Sequence, residues 1–475
     1  MKKQGVFSVC VLLFLGIACA VNPVTGKREL SLYSEQDEIA LGKETDIQIK
    51  HQFGIYEDSS LNSYVAGVGQ SLSPHTHRSQ LSYSFAVLDS PVVNAFAVPG
   101  GYIYVTRGIL AMMNSEAELA VVLGHELGHV NARHSIHRMS EMMLAQIGLA
   151  VGSALNKTFA NLAGVAGIGI QILFLKYSRD DERQADQLGV EYSRKGGYNP
   201  GEMIAFFHSL QKLGDLSGGH SLPGFLSTHP LTSERIRNTQ AMLLADDSKQ
   251  QIKSAVYLRR IEGTVFGDDP RQGFVEGNAF YHPQMRFFFS FPEGWQVQNT
   301  PSQVVIASKQ GDAGIIVQAE KSEDAPKVYG QKKVEQLKGT RFIEDKDLTV
   351  NGLRAYQQLC DLDQENDEDI RLRLSFIKYG SHILTFMALS TLDKFSDFDS
   401  EFRRVVGSFK SLTDNAYIGR QPKRLKLVTV DGRRTLQEIF QSAGMEKDLW
   451  PSFGVMNGME LSHIPSKDRL IKIVR

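Results

Sequence analysis

The sequence predicts a multidomain protein: a mostly α-helical domain over residues 21–265 with a small β-hairpin, an α+β domain over 275–413, and a small βααβ module over 423–475. Three observations predict it. The 475 residues exceed one ordinary core and suggest about three domains. Helix-start signals and helical spacing dominate until near Gly263, where alternating strand patterns take over. A polar linker over 414–423, with Gly419 and Pro422, then sets off the last stretch. Apolar content of 42% and charged content of 22% fit a globular protein. The 52 basic residues balance 53 acidic ones, a net charge of -1, which argues against nucleic acid or an anionic membrane surface as partner.

The elements follow in order. Lys2 and Lys3 precede an uncharged apolar run over 9–20 that ends in Ala18-Cys19-Ala20, the form of a signal-peptide cleavage site. Cleavage after Ala20 gives a soluble exported, periplasmic chain. Lipidation of Cys19, with Gly16 three positions before it, gives the same chain attached to the outer membrane. Cleavage is preferred, and the run is short for a membrane span. Cys10 and Cys19 lie in the leader, which leaves Cys360 and excludes a disulfide framework. Ser34 with Glu35, Asp37 and Glu38 starts a helix over 34–50. Segments 81–88 and 95–106 alternate like strands, and Pro99-Gly100-Gly101 marks a hairpin turn. Ser115 and Glu118 form a capping-box pattern at the start of a core helix. Two Gly/Ala-rich apolar stretches, 142–155 and 159–175, read as buried helices in preference to a transmembrane hairpin. Beyond Gly263, strands are expected at 303–308, 314–318, 355–360, 370–378 and 382–389, with helices at 329–337 and 398–409. The tail reads strand 425–430, helix 435–443, helix 450–457 and strand 470–474.

The chemistry starts at His125-Glu126-Leu127-Gly128-His129, an HExxH pattern. Residues four apart share a helix face, so both imidazoles reach one ion, and Glu126 beside them can take a proton from an attacking water. The apolar run 117–123 places this helix in a core, the rigid support that a zinc site needs. A catalytic zinc takes three protein ligands. Ala132 and Ser135 stand where the metzincin pattern requires Gly and His, so that class fails. His134 and His137 are out of helical phase with His129 and are expected to be exposed. The gluzincin alternative needs an acidic residue on a second helix. Residues 180–186 supply Glu182 as ligand and, four positions on, Asp186 to accept the free N–H of a ligand histidine.

These motifs, with Asn94-Ala95-Phe96-Ala97-Val98-Pro99-Gly100-Gly101 and the run Ser227-Thr228-His229-Pro230-Leu231-Thr232-Ser233-Glu234-Arg235-Ile236, resemble the HtpX-like and BepA-like gluzincins. CAAX-prenyl proteases and the mitochondrial Oma-type protease are similar. The resemblance covers about 60–245 and implies a helical zincin-type catalytic domain, one zinc ion and endopeptidase activity. It places His229 at the metal, either stabilising the oxyanion or occupying the water position at rest. It has Arg235 pair with a nearby carboxylate. It makes strand 94–101 the substrate edge, with Asn94, Ala95 and Phe96 on the peptide. The stretch Phe289-Ser290-Phe291-Pro292-Glu293-Gly294-Trp295 resembles the start of a PsbP-like α/β sandwich. The tail resembles a degenerate LysM module, without the usual Gly near Lys467, and so points to peptidoglycan.

The expected function is therefore an exported zinc endopeptidase acting on protein or peptide substrates in envelope quality control, with outer-membrane protein or membrane contact in view. The alternative is a chaperone-like or cell-wall-binding protein with latent proteolysis. A membrane-embedded CAAX-type protease needs more spans than this chain offers.

Overall fold

The computed structural model describes residues 19–148, 176–216, 224–337, 339–363 and 369–475. Residues 1–18 of the expected leader over 1–20, and most of the two apolar stretches between 142 and 175, fall outside them; Cys19 and Ala20 lie in strand Cys19–Val21, paired with Arg28–Leu30. Among the described residues no helix is long and apolar enough to cross a membrane.

The first part is helical. Helix Glu35–Phe53 starts in a capping box between Ser34 and Asp37. Helices Ser59–Leu72, Glu202–Leu216 and Ser254–Ile261 surround Glu116–Asn131, which is buried along its whole length. Ser115 caps it by accepting from the Glu118 amide, while the Glu118 carboxylate accepts from Asn114, one residue earlier than a standard capping box. Strands Ala95–Val98 and Tyr102–Thr106 form the expected hairpin. Gly101 sits at φ 96 in its turn, and a Cβ there would stand 2.6 Å from the Ser82 carbonyl oxygen. Ser84–Leu88 adds to the hairpin in parallel on the other side of Tyr102–Thr106. Ala95–Val98 is therefore the edge of a three-stranded sheet.

The second part is built on a seven-stranded antiparallel sheet with Thr340–Val350 at one edge and Gln296–Asn299 at the other. Alternation sorts its side chains: Ile315 and Val317 pack with helix Phe395–Ser408, and Ile316 packs with Tyr329 of helix Pro326–Glu335. A four-stranded sheet carrying Phe280, Phe287 and Phe289 joins the first of these cores. Thr340–Val350 escapes the sequence pattern because it is an exposed edge. Arg341, Glu344, Asp345, Lys346 and Asp347 replace an apolar alternation and guard the edge against pairing. Cys360 is buried here, and burial pushes its thiol up to about 11.

The tail forms the expected order: strand Leu425–Thr429, helices Leu436–Ser442 and Trp450–Met456, strand Leu470–Val474. It does not stand apart. Leu425, Phe440, Trp450 and Ile473 share one apolar cluster with Leu110, Val121 and Phe206. Lys472 is fully buried and its Nζ donates to the carbonyls of Ala111, Met112 and Met113 at 2.9, 3.3 and 2.8 Å. Those carbonyls close helix Arg107–Met112, immediately before the cap of Glu116–Asn131.

Lys472→Met strands the carbonyls of Ala111 and Met113, each costing about 1–3 kcal/mol, while that of Met112 still accepts from Asn114 Nδ2. We expect roughly 3 kcal/mol of lost stability overall, read as a lower urea midpoint by Trp450 fluorescence. An unchanged midpoint would show that the tail is separable from the helical core.

Candidate active site

Two helices set the geometry. Glu116–Asn131 and Arg179–Lys195 cross where both carry small residues. A Cβ on Gly124 would lie 3.2 Å from Gly189 Cα, and one on Gly128 would lie 3.1 Å from Ala185 Cα. This close approach brings the first turn of the second helix, with Glu182, against the two histidines of the first. Ser178 starts that helix with a capping box to Asp181.

The structure brings together His125, His129, Glu182 and His229, all buried, with one ligand-type atom from each within 4.8 Å of the others. His125 Nε2 is 3.0 Å from His129 Nε2 and 3.3 Å from His229 Nδ1. Glu182 Oε1 is 2.9 Å from His229 Nδ1 and 3.6 Å from His129 Nε2. Four donors on one tetrahedral ion, each bound at about 2.0–2.2 Å, stand about 3.3 Å apart. The spacing fits, and nitrogen with carboxylate oxygen is the donor set that zinc takes.

The charges also fit a cation. Glu126, Glu182 and Asp186 are buried together, while Arg235 is the fixed positive group among them. Arg235 reaches Asp186 twice at 2.7 Å and Glu182 Oε2 at 2.7 Å, and it lies 4.9 Å over the Phe207 ring. Three carboxylates against one guanidinium leave negative charge that burial makes costly. The side chains respond accordingly. Burial raises the Glu126 carboxyl. Burial also opposes ionisation of Glu182, but the charges of His229 and Arg235 outweigh it and hold this carboxyl low. Burial holds His129 well below its usual range. It works against His229 too, where the Glu182 and Glu126 charges prevail and raise the imidazole.

The other anticipated residues take up places around this cluster. Asp186 Oδ1 lies 2.9 Å from His125 Nδ1. Among the described residues neither oxygen of Glu126 nor Nε2 of His229 has a hydrogen-bond partner. The backbone of Ala97 faces the Glu126 carboxylate, so the edge strand runs beside it. Asn94 lies just before that strand with its Oδ1 unpaired, and Ala95 and Phe96 are buried within it. A cavity of about 380 Å³ opens against the cluster, lined in part by Tyr177, Glu182, Pro230 and Arg235.

One expectation is overturned. His134 is not exposed: it is 3% accessible, with Nδ1 2.9 Å from His129 Nδ1. The phase argument assumed one continuous helix, but Arg133 at φ 56 breaks it and a new helix starts at His134. His137 stays partly exposed beside Glu29 and Glu141. Sequence reasoning also missed Tyr177, which stacks on His129 at 4.0 Å, and Phe225, which stacks on His229 at 4.6 Å. An aromatic residue in a chain with 26 Phe and 15 Tyr carries no local signal for either place.

Comparison with known proteins bears on this part of the chain. Residues 59–243 match the model of peptidase family M48. A putative beta-barrel assembly-enhancing protease of Vibrio cholerae is 30% identical over 194 residues, 39% of this chain and 40% of that protein. The mitochondrial metalloendopeptidase OMA1 of Arabidopsis thaliana is 30% identical over 236 residues, 49% of this chain and 47% of that one. The chain thus spans less than half the length of either relative. Cyanobacterial PsbP from Synechocystis is 15% identical with a TM-score of 0.25, over 28% of this chain and 91% of that one, a likeness too low to argue from.

Gly189→Ala tests the helix crossing. Its Cβ would press on the His125 amide nitrogen at 3.1 Å. Helix propensity favours Ala by about 1 kcal/mol, and overpacking costs about 1–3 kcal/mol. We expect a net loss of roughly 1 kcal/mol in thermal unfolding; a stabilised variant would mean that the seam is looser than described.

Proposed function

We propose that the chain is an exported zinc-dependent endopeptidase that acts on misfolded or stalled proteins of the cell envelope. The convergence of His125, His129, Glu182 and His229 on one point, with unpaired Glu126 beside them, carries the reading. The M48 match over residues 59–243 supports it independently. The name of the Vibrio relative, which refers to β-barrel assembly, supports an envelope setting. Export rests on the leader pattern, with release after Ala20 or attachment through Cys19.

In this reading His125, His129 and Glu182 hold one zinc ion per chain. A bound zinc polarises a carbonyl and makes water more acidic. Glu126 takes the proton of the attacking water and passes it to the leaving amine. Its buried carboxyl, raised above the usual range, is suited to carrying that proton between the two steps. Asp186 holds His125 through Nδ1, and Arg235 ties Asp186 to Glu182 and keeps both carboxylates in place. His229 takes the fourth corner of the cluster, where it either occupies the water position at rest or stabilises the oxyanion. The peptide joins the edge strand Ala95–Val98 as a further strand, with Asn94 just before it to meet the peptide backbone. Ala95 and Phe96 are buried, so they contribute main chain instead of side-chain contacts.

Residues 21–265 form the catalytic domain in this account, and 275–413 and 423–475 add binding surface. The second reading, a chaperone-like or cell-wall-binding protein with latent proteolysis, draws on the closed cluster with His229 at its fourth corner. The tail is proposed to contact peptidoglycan. Its apolar face is already committed to the helical core, so any glycan contact uses its outer surface.

Glu126→Gln separates the readings. The variant should keep its zinc and lose casein cleavage by several orders of magnitude, while envelope functions that need only binding persist. Turnover at the wild-type rate would refute the role of Glu126. In a pull-down with purified peptidoglycan the full chain should be retained, and a chain that stays in the supernatant removes the glycan proposal.

A further inference from the structure

A further buried histidine, His134, stands against the metal cluster through His129. His134 opens helix His134–Gly148, and the chain reaches it through Arg133, a non-glycine residue at φ 56. Such a conformation is strained for a side chain with a Cβ and persists only where surroundings impose it. Here the Arg133 side chain donates to Glu38 at 2.8 Å and to the Tyr33 carbonyl at 3.0 Å. The bend folds His134 back over His129, five residues earlier. His134 Nδ1 then lies 2.9 Å from His129 Nδ1, and His134 Nε2 lies 2.9 Å from Gln184 Oε1. Gln184 sits between Glu182 and Asp186 on the same helix.

These contacts fix where the protons are. An amide oxygen only accepts, so the proton of a neutral His134 ring resides on Nε2 and is donated to Gln184. His134 Nδ1 is left with a lone pair. It accepts the Nδ1–H of His129, and the lone pair of His129 is thereby placed on Nε2. That is the atom 3.0 Å from His125 Nε2 in the four-residue cluster. Asp181, 3.8 Å from His134 Nε2, is held by Arg138 at 2.7 Å.

We propose that His134 is a positioning residue for the metal site: relaying from Gln184, it sets the tautomer and orientation of His129. The two ligand histidines are then served differently. His125 faces the carboxylate of Asp186, and His129 faces a neutral ring. The difference has a physical reason. The cluster already buries three carboxylates against one guanidinium, and a fourth carboxylate behind His129 would add to that excess.

The inference rests on the zinc reading, and its test keeps the two apart. Zinc dissociation constants would be measured by chelator competition on the full chain and on His134→Phe, His134→Asn and Gln184→Leu. His134→Phe should bind zinc about 10–100-fold more weakly. Gln184→Leu should show a smaller loss. His134→Asn should restore most of the affinity, because its Oδ1 occupies roughly the place of the imidazole Nδ1. Long-range proton–nitrogen spectra of the metal-free protein should show His129 protonated at Nδ1 in wild type and a tautomer mixture in Gln184→Leu, a change that a purely packing role would not cause. Wild-type affinity in a folded His134→Phe, or equal losses in His134→Phe and His134→Asn, would overturn the relay. Should His134→Phe not fold, an unchanged His129 tautomer in Gln184→Leu overturns it alone. A wild-type chain that binds no zinc would remove the metallopeptidase reading itself.

Discussion

The arrangement depends on one electrostatic constraint: Glu126, Glu182 and Asp186 are buried around the same cluster, and among the described residues Arg235 is the fixed positive charge that pairs with Glu182 and Asp186. Such a set is unstable in a protein interior unless the excess is met by protons or by a cation. Burial raises the Glu126 carboxyl and the neighbouring carboxylates raise the His229 imidazole, which moves both toward their protonated forms. A divalent ion among the four donors would do the rest. The same requirement explains why His129 is backed by a neutral ring and not by another carboxylate.

Packing makes the constraint possible. The glycines at 124, 128 and 189 let two helices approach until Glu182 lies beside the HExxH histidines, and bulkier residues would separate donors that must converge. The tail extends the same support. Lys472 holds the carbonyls just ahead of the HExxH helix, so a segment distant in sequence helps to anchor the catalytic core. The edge strand completes the site by carrying its backbone past Glu126.

Much of this was legible in the sequence because the signals are local. HExxH spacing places His125 and His129 on one helix face, and the spacing from Glu182 to Asp186 does the same on a second helix. The tail elements fall close to their expected bounds because the Thr435 cap, Pro451 in the first turn of the second helix and apolar spacing delimit them. The failures have physical reasons. His134 was misplaced because one residue, Arg133, leaves helical conformation, and its anchors on Glu38 and Tyr33 lie about a hundred positions away. Strand Thr340–Val350 was invisible because an edge strand buries no face. The docking of the tail depends on long-range contacts that no local pattern encodes.

The most direct measurement of the central claim is metal content coupled to activity in the purified full chain. The account predicts about one zinc per chain, casein cleavage that disappears when a chelator removes the metal, and recovery on returning zinc. A chain that carries no metal and gains neither metal nor cleavage on incubation with zinc would contradict it.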